Sequence, residues 1–209
     1  MSQFFTIHQD NPQPRLIKQA AEIVRSGLVI VYPTDSGYAL GCHLGDKDAV
    51  MRIRKIRDVD DKHHMTLVCR DLSEIAHYSR VDNVQFRLLK SNTPGNYTFI
   101  LNATKEVPKR LQHPKRNTIG LRIPDHPVAL ALLAELGEPL LSSSLILPGE
   151  EMAMHDAEEI RELLGHQVDL VIDGGMVGLD PTTVIDLTGE VPILVRRGKG
   201  DIKPFSIEE

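Results

Sequence analysis

Five apolar residues, Leu28-Val29-Ile30-Val31-Tyr32, stand between Gly27 and Pro33, and the stretch just before them follows a different hydrophobic period. Over residues 14–26, Leu16, Ile17, Ala20, Ala21, Ile23 and Val24 recur at helical spacing, with Pro14 near the start and Gly27 just past the end. The five-residue run reads as a buried strand, punctuated by glycine and proline. A helix feeding directly into a buried strand belongs to a sheet flanked by helices.

The rest of the chain repeats the alternation. A short strand is expected at 38–43, a helix at 46–56 opened by Asp46, and a strand at 65–69 after a charged loop. Helices at 72–78 and 82–91 follow, then strands at 96–101 and 118–123. The apolar segment 126–136 reads as a helix ended by Gly137, 139–147 as a strand, 156–165 as a helix and 168–172 as a strand. Strands at 183–187 and 193–195, joined by a Thr188-Gly189 turn, close the chain. Helices interspersed with strands and hairpin-like pairs imply a mixed α/β sheet.

With 209 residues and 41% hydrophobic content, one domain spanning 1–209 is expected, since no linker-like tract divides the chain. No run approaches the ~18 apolar residues of a membrane helix, and the opening Met-Ser-Gln-Phe-Phe-Thr has no leader character. A cytoplasmic, soluble protein is the expectation, with a monomer as the simplest oligomeric state. Cys42 and Cys69 lie in apolar strand-like runs and form no disulfide framework. Charge is uneven: residues 1–122 hold 19 Lys/Arg against 12 Asp/Glu, whereas 123–209 hold 5 against 17. Such asymmetry points to an anionic partner for the basic part. Lys109, Arg110, Lys115 and Arg116 are the candidate RNA contacts, the alternative being a solvated loop. With few aromatic residues for stacking, a duplex or folded RNA held by its backbone would be the partner.

Several segments carry candidate chemistry. Thr34-Asp35-Ser36-Gly37 after Pro33 is either a simple turn or a ligand site at the end of a strand. Lys55 and Arg57 close a helix, where they either complement its dipole or hold phosphate oxygens. His63 and His64, near Cys42, His43 and Cys69, match no regular zinc spacing, and no tightly bound metal is expected. Asp58, Asp60 and Asp61 read as a solvated loop, with Mg2+ beside a nucleotide as the alternative. Ser142, Ser143 and Ser144 lie on an apolar strand without a nucleophile elbow, so ligand binding by Ser142 and Ser144, which share a face, is favoured over serine hydrolysis.

Taken together, Pro33-Thr34-Asp35-Ser36-Gly37-Tyr38-Ala39-Leu40-Gly41, Lys55-Ile56-Arg57, Pro94 to Thr98, Gly120-Leu121-Arg122-Ile123-Pro124, Pro139 to Ser144 and Pro181 to Asp186 resemble the YrdC-like family, closest to its YciO branch. Arg196 fits the family's closing Arg-Pro-Gly pattern, with Arg197 in place of proline, and the resemblance spans about residues 14 to 200. It implies an open, twisted α/β fold with a basic concave face. It also implies synthesis of L-threonylcarbamoyladenylate from ATP, L-threonine and bicarbonate, with release of pyrophosphate, for a transfer RNA modification. Double-stranded RNA binding is attributed to the same family.

By that resemblance Lys55 and Arg57 would be catalytic, holding the ATP phosphates with Mg2+ bridging them. Thr34, Tyr38 and Arg122 would line the threonine and carbamoyl region, Thr66 would contact substrate, and Ser142, Ser144, Thr182 and Arg196 would complete the nucleotide pocket. Where the family's serine strand ends Ser-Ala-Asn, this chain has Ser144-Leu145-Ile146, and Cys69 stands where many members have His. Alternatives to synthesis are the removal of threonylcarbamoyl groups and RNA binding without catalysis.

Overall fold

The computed structural model describes residues 1–207. Among these residues eleven strands join one mixed sheet. Its first half comprises β1 (Gln3–Thr6), β2 (Ile30–Thr34), β3 (Gly37–His43), β4 (Thr66–Val68), β5 (Ser79–Arg80) and β6 (Tyr97–Ala103). The remainder are β7 (Thr118–Arg122), β8 (Leu140–Ser144), β9 (Leu170–Asp173), β10 (Thr183–Asp186) and β11 (Ile193–Arg196). The spatial order is β1-β9-β2-β3-β8-β4-β7-β6-β10-β11, with β5 on β6. Pairing is parallel at β1–β9, β9–β2, β4–β7 and β6–β10, and antiparallel between the other neighbours. The sequence expectations missed β1 and β5, which are four and two residues long and are set by their neighbours rather than by their own pattern.

Six α-helices among the described residues accompany the sheet: α1 (Pro14–Arg25), α2 (Lys47–Arg57), α3 (Leu72–Tyr78), α4 (Asn83–Asn92), α5 (Pro127–Leu136) and α6 (Ala157–Leu164). Their starts are chemically marked. The carboxylates of Asp46, Asp82 and Asp156 accept backbone N–H groups of the first turn in α2, α4 and α6, satisfying donors that no carbonyl can reach.

Successive strand residues feed opposite cores. Val31, Leu40, Leu141 and Val171 join the cluster under α2, α3, α4 and α6, while Ile30, Tyr32, Ala39, Leu140 and Leu170 join the cluster under α1 and α5. That second cluster draws on β2, β3, β8 and β9, with Val68 of β4 beside them, so α1 and α5 cover that part of the face. Farther along, no helix among the described residues packs on the same face of β4, β7, β6 and β10. One register row on it reads Gly41, Ser142, Thr66, Gly120 and Ile100 across five adjacent strands. Small and hydroxylated side chains in that row keep the floor low. At Gly41 the Tyr32 ring lies over the backbone, where an added Cβ would sit 2.9 Å from the ring. Gly41→Ala is therefore expected to destabilise the fold by about 1–3 kcal/mol through overpacking, which urea unfolding would measure; an unchanged midpoint would show that the ring is free to move.

Candidate functional site

The uncovered part of the face is the floor of a cavity of about 320 Å³. Among the described residues its lining includes four arginines, Arg57, Arg116, Arg122 and Arg196, and no carboxylate. Hydroxyl groups of Thr34, Ser36, Thr66, Thr98, Ser142, Ser143, Ser144 and Thr182 lie between them, and Ile100, Ile119, Ile146, Val184 and Val195 supply apolar wall.

Thr34 and Gly37 are paired at the ends of β2 and β3, so Asp35 and Ser36 are the two residues of a tight hairpin turn, with Gly37 at φ +98°. The Thr34 hydroxyl donates to the Gly37 carbonyl (2.7 Å) and accepts the Ser36 N–H (3.1 Å), which locks the turn. The turn is also part of the site. Arg122, at the end of β7, donates to the Ser36 hydroxyl (2.8 Å) and forms an ion pair with Asp35, whose carboxylate also accepts the Asp125 N–H. Both side chains of this pair are less than 10% exposed. Turn and site are thus the same residues.

Arg57 comes from the last turn of α2, whose end is capped by Asp58 in the left-handed conformation at φ +51°. Its guanidinium donates to the Ser143 hydroxyl (2.6 Å), the Ile146 carbonyl (3.3 Å) and His63 Nε2 (3.1 Å). A guanidinium only donates, so the His63 proton sits on Nδ1. Burial lowers the Arg57 proton affinity, yet an arginine stays cationic. Arg196 donates to the carbonyl and hydroxyl of Thr182 (2.9 and 3.1 Å), and Thr182 in turn pairs with the Thr98 hydroxyl (2.9 Å). Its proton affinity is lowered by burial and then by Arg122, the cost of gathering like charges. Ser142 bonds the Tyr32 hydroxyl (2.7 Å) and donates to the Leu40 carbonyl (3.0 Å), and burial pushes Tyr32 up to about 12, so the phenol stays protonated.

Of the residues named from sequence, Thr34, Arg57, Thr66, Arg122, Ser142, Ser144, Thr182 and Arg196 come together around this cavity. Tyr38 does not. It is 1% exposed, belongs to the larger core cluster on the opposite side of the sheet, and its hydroxyl donates to the Gly175 carbonyl (3.3 Å). Lys55 does not line this cavity either: it faces a second one, while Arg57, two residues later and about 200° around the helix, faces the first. The four expected RNA contacts also separate. Arg116, still exposed, lines the first cavity and pairs with Asp186 (3.1 Å), whereas Lys109, Arg110 and Lys115 line the second.

Sequence reasoning left Asp35 and Ser36 between turn and ligand site, weighed His63 only as a metal ligand, favoured Ser142 and Ser144 over Ser143, and gave Thr98 no role of its own. The strand ends at Ser144, so the cavity reaches residues of both its faces, which alternation within a strand does not reveal. Cys42 and Cys69 are fully buried, His43 pairs with Glu138 (3.0 Å), and Asp60 accepts the Lys62 N–H. Burial raises both thiols, Cys42 to about 12, so neither is a ready thiolate.

Three histidines share one direction of shift. Burial lowers His63, His64 and His126, assisted by Arg57 at His63 and by His113 at His64. The unfolded chain, at the ordinary value of 6.5, then takes up protons before the folded one does. Stability conferred by these neutral rings is present in full above about pH 6.5 and falls as pH drops toward their folded values. Unfolding free energies at pH 7.5 and 5.5 should differ in that sense, and His126→Asn should reduce the difference; equal values would contradict it.

The fold and site define an α/β protein with an open mixed sheet whose uncovered face carries a hydroxyl-lined, cationic cavity. The Sua5/YciO/YrdC family model, described as telomere recombination, matches residues 22–198, and the chain belongs to that family. YciO of Escherichia coli K12 is 65% identical over 205 residues, 98% of this chain and 100% of the relative, and its crystal structure superposes with a TM-score of 0.94 over the same shares. A threonylcarbamoyl-AMP synthase of Cellvibrio japonicus is 31% identical over 84% of this chain and 93% of its own length. P. abyssi Sua5 complexed with L-threonine is 25% identical, with a TM-score of 0.85, covering 93% of this chain and 57% of Sua5.

Proposed function

We propose that the cavity binds ATP and L-threonine and forms L-threonylcarbamoyladenylate. The observation that carries this reading is the convergence of Arg57, Arg116, Arg122 and Arg196 on a hydroxyl-lined floor, an arrangement suited to several anionic groups at once. Synthase relatives and the threonine-bound Sua5 support it. In this reaction the threonine nitrogen joins the carbon of bicarbonate with loss of water, and a carbamate oxygen attacks the α-phosphorus of ATP. The bond to the β-phosphate oxygen breaks and pyrophosphate leaves. The protein's share is to hold these anions in line and stabilise the charge that moves onto the leaving group. Arg57 offers its remaining N–H groups to phosphate, and Arg122, fixed by Asp35 and Ser36, offers an oriented cation to the carboxylate or carbamate. Because no carboxylate lines the cavity, Mg2+ would enter on the nucleotide's own phosphates, and no step is assigned to it.

Ile146 lies in the wall where the synthase pattern has an amide, so this position offers no polar side chain, and its backbone carbonyl is engaged by Arg57. Turnover slower than in relatives with that amide is expected. Pyrophosphate release that requires threonine and bicarbonate together tests the proposal; release independent of either, or none at saturating ATP, would refute it. Under such a failure, loss of the modification from threonylcarbamoylated transfer RNA would identify the reverse activity. RNA contact rests on Lys109 and Lys115 at the second cavity, and a steep fall of duplex affinity with salt would reveal it.

A further inference from the structure

The segment 58–65 joins α2 to β4 without helix or strand of its own and carries His63, half-buried, to the wall of the first cavity. Its Nε2 lies 3.1 Å from Arg57 Nη1 and 3.5 Å from the Ser143 hydroxyl, and the same Nη1 donates to that hydroxyl at 2.6 Å. Both hydrogens of Nη1 are thus held by protein groups, one by a serine oxygen and one by an imidazole lone pair. Arg57 Nε is engaged as well, by the Ile146 carbonyl (3.3 Å).

The kind of acceptor matters. A carboxylate would neutralise the arginine and an amide would accept its N–H at every pH, whereas an imidazole accepts only while it is unprotonated. The charged and titratable groups facing the ring are Arg54 and Arg57 from α2 and Asp60 and His64 from its own segment, while β8 presents the neutral Ser143. Burial opposes protonation most, followed by Arg57, His64 and Arg54, and only Asp60 favours it. At pH 7 the ring is neutral. An anion in the cavity reverses this balance, because its charge offsets the arginines at short range and its oxygen takes the N–H that His63 was accepting. The imidazole lone pair then faces an anion, a repulsion that one proton converts into a charged hydrogen bond. With Nη1 and Nε2 3.1 Å apart, a single anionic oxygen about 2.8 Å from each accepts from both.

We propose that His63 is a positioning residue that couples anion binding in the first cavity to the uptake of one proton, accepting from Arg57 when no anion is present and donating beside it when one is. The inference rests on the reading that this cavity binds anions, and it requires neither threonine nor bicarbonate. Coupling is reciprocal, so the anion must bind more tightly as pH falls. The gain ends once pH passes below the value of the unliganded ring, which lies under 6.5.

Sulfate is the probe, since it does not titrate near neutral pH whereas phosphate esters do. Its binding to the full chain is followed by NMR at fixed ionic strength between about pH 8 and 6, through the ring C–H signals of the nine histidines. The loss of one signal in His63→Gln assigns His63. Wild type should bind sulfate about five- to tenfold more tightly at the lower pH, within the limit of tenfold per pH unit for one proton, and saturating sulfate should move the His63 titration upward. His63→Gln should flatten the pH dependence, because its amide oxygen accepts the same N–H and takes up no proton. His64→Gln should retain the dependence, and Arg57→Ala should lose the upward movement. Thermal unfolding checks that each variant folds, and the wild-type titration of His63 decides by itself if one does not. The proposal is overturned if His63 titrates at the same pH with and without sulfate, if His63→Gln keeps the full pH dependence, or if His64→Gln removes it. No sulfate binding at either pH would remove this inference and the anion reading together. Proton-linked sulfate binding without threonine-dependent pyrophosphate release would count against the proposed synthase reaction alone, and that release beside pH-independent sulfate binding would count against this inference alone.

Discussion

Replacing Arg122 with alanine is expected to destabilise the protein by about 3–5 kcal/mol, because it leaves the Asp35 carboxylate buried beside no cation. Asp35 retains the Asp125 N–H as a donor, but one of its carboxylate oxygens is already buried without a hydrogen bond. An uncompensated charge there must either be desolvated at great expense or take up a proton. The double replacement Asp35→Ala, Arg122→Ala removes both charges and should recover a large part of the loss. Urea unfolding of wild type, both single variants and the double variant measures the coupling directly. A loss below about 1 kcal/mol for Arg122→Ala, the range of exposed ion pairs, would show that the pair is open to water. The proposed synthase activity should fall as well, since Asp35 and Ser36 fix that guanidinium beside the cavity.

The second large effect concerns Arg57. In the proposed reaction its alanine variant should lose about a hundredfold or more in pyrophosphate release, since each hydrogen bond to a charged group is worth roughly 1.5–3 kcal/mol and a guanidinium supplies two at once. It also frees the Ser143 hydroxyl and the Ile146 carbonyl from their partner, loosening the wall of the cavity. Lys55→Ala should be the milder change, about tenfold, because that side chain faces the second cavity. Arg57→Lys should not restore the rate, as an ammonium cannot reach three protein groups and a phosphate from one fixed plane. Steady-state rates with ATP, threonine and bicarbonate all saturating would rank the three variants. Equal losses for Lys55 and Arg57 would mean that the helix end turns on ligand binding and presents both cations to one cavity.

Much of this architecture is written in local pattern. The helix at 14–26, the strand at 28–32 and the helix at 72–78 lie within two residues of α1, β2 and α3, because 3.6- and 2-residue periods are properties of adjacent residues. The aspartate before α2 was legible for the same reason, since capping acts within one turn. β1 was not, as Gln3–Thr6 is a strand only because β9 lies beside it.

The site divides in the same way. Sequence alone determined which segments carry hydroxyl and cationic groups, that they flank strand ends, and which family's motifs they resemble. Only the tertiary structure decided that Ser142, Thr66 and Gly120 share one register row, that α1 and α5 stop short of covering it, and that Tyr38 points into the core. It alone paired the exposed Arg116 with Asp186 beside the first cavity and set Lys55 and Arg57 on different cavities that share three histidines. The reason is physical: strand order, register and helix phase are fixed by contacts between residues far apart in the chain, which leave no periodic trace in the neighbourhood of any one of them.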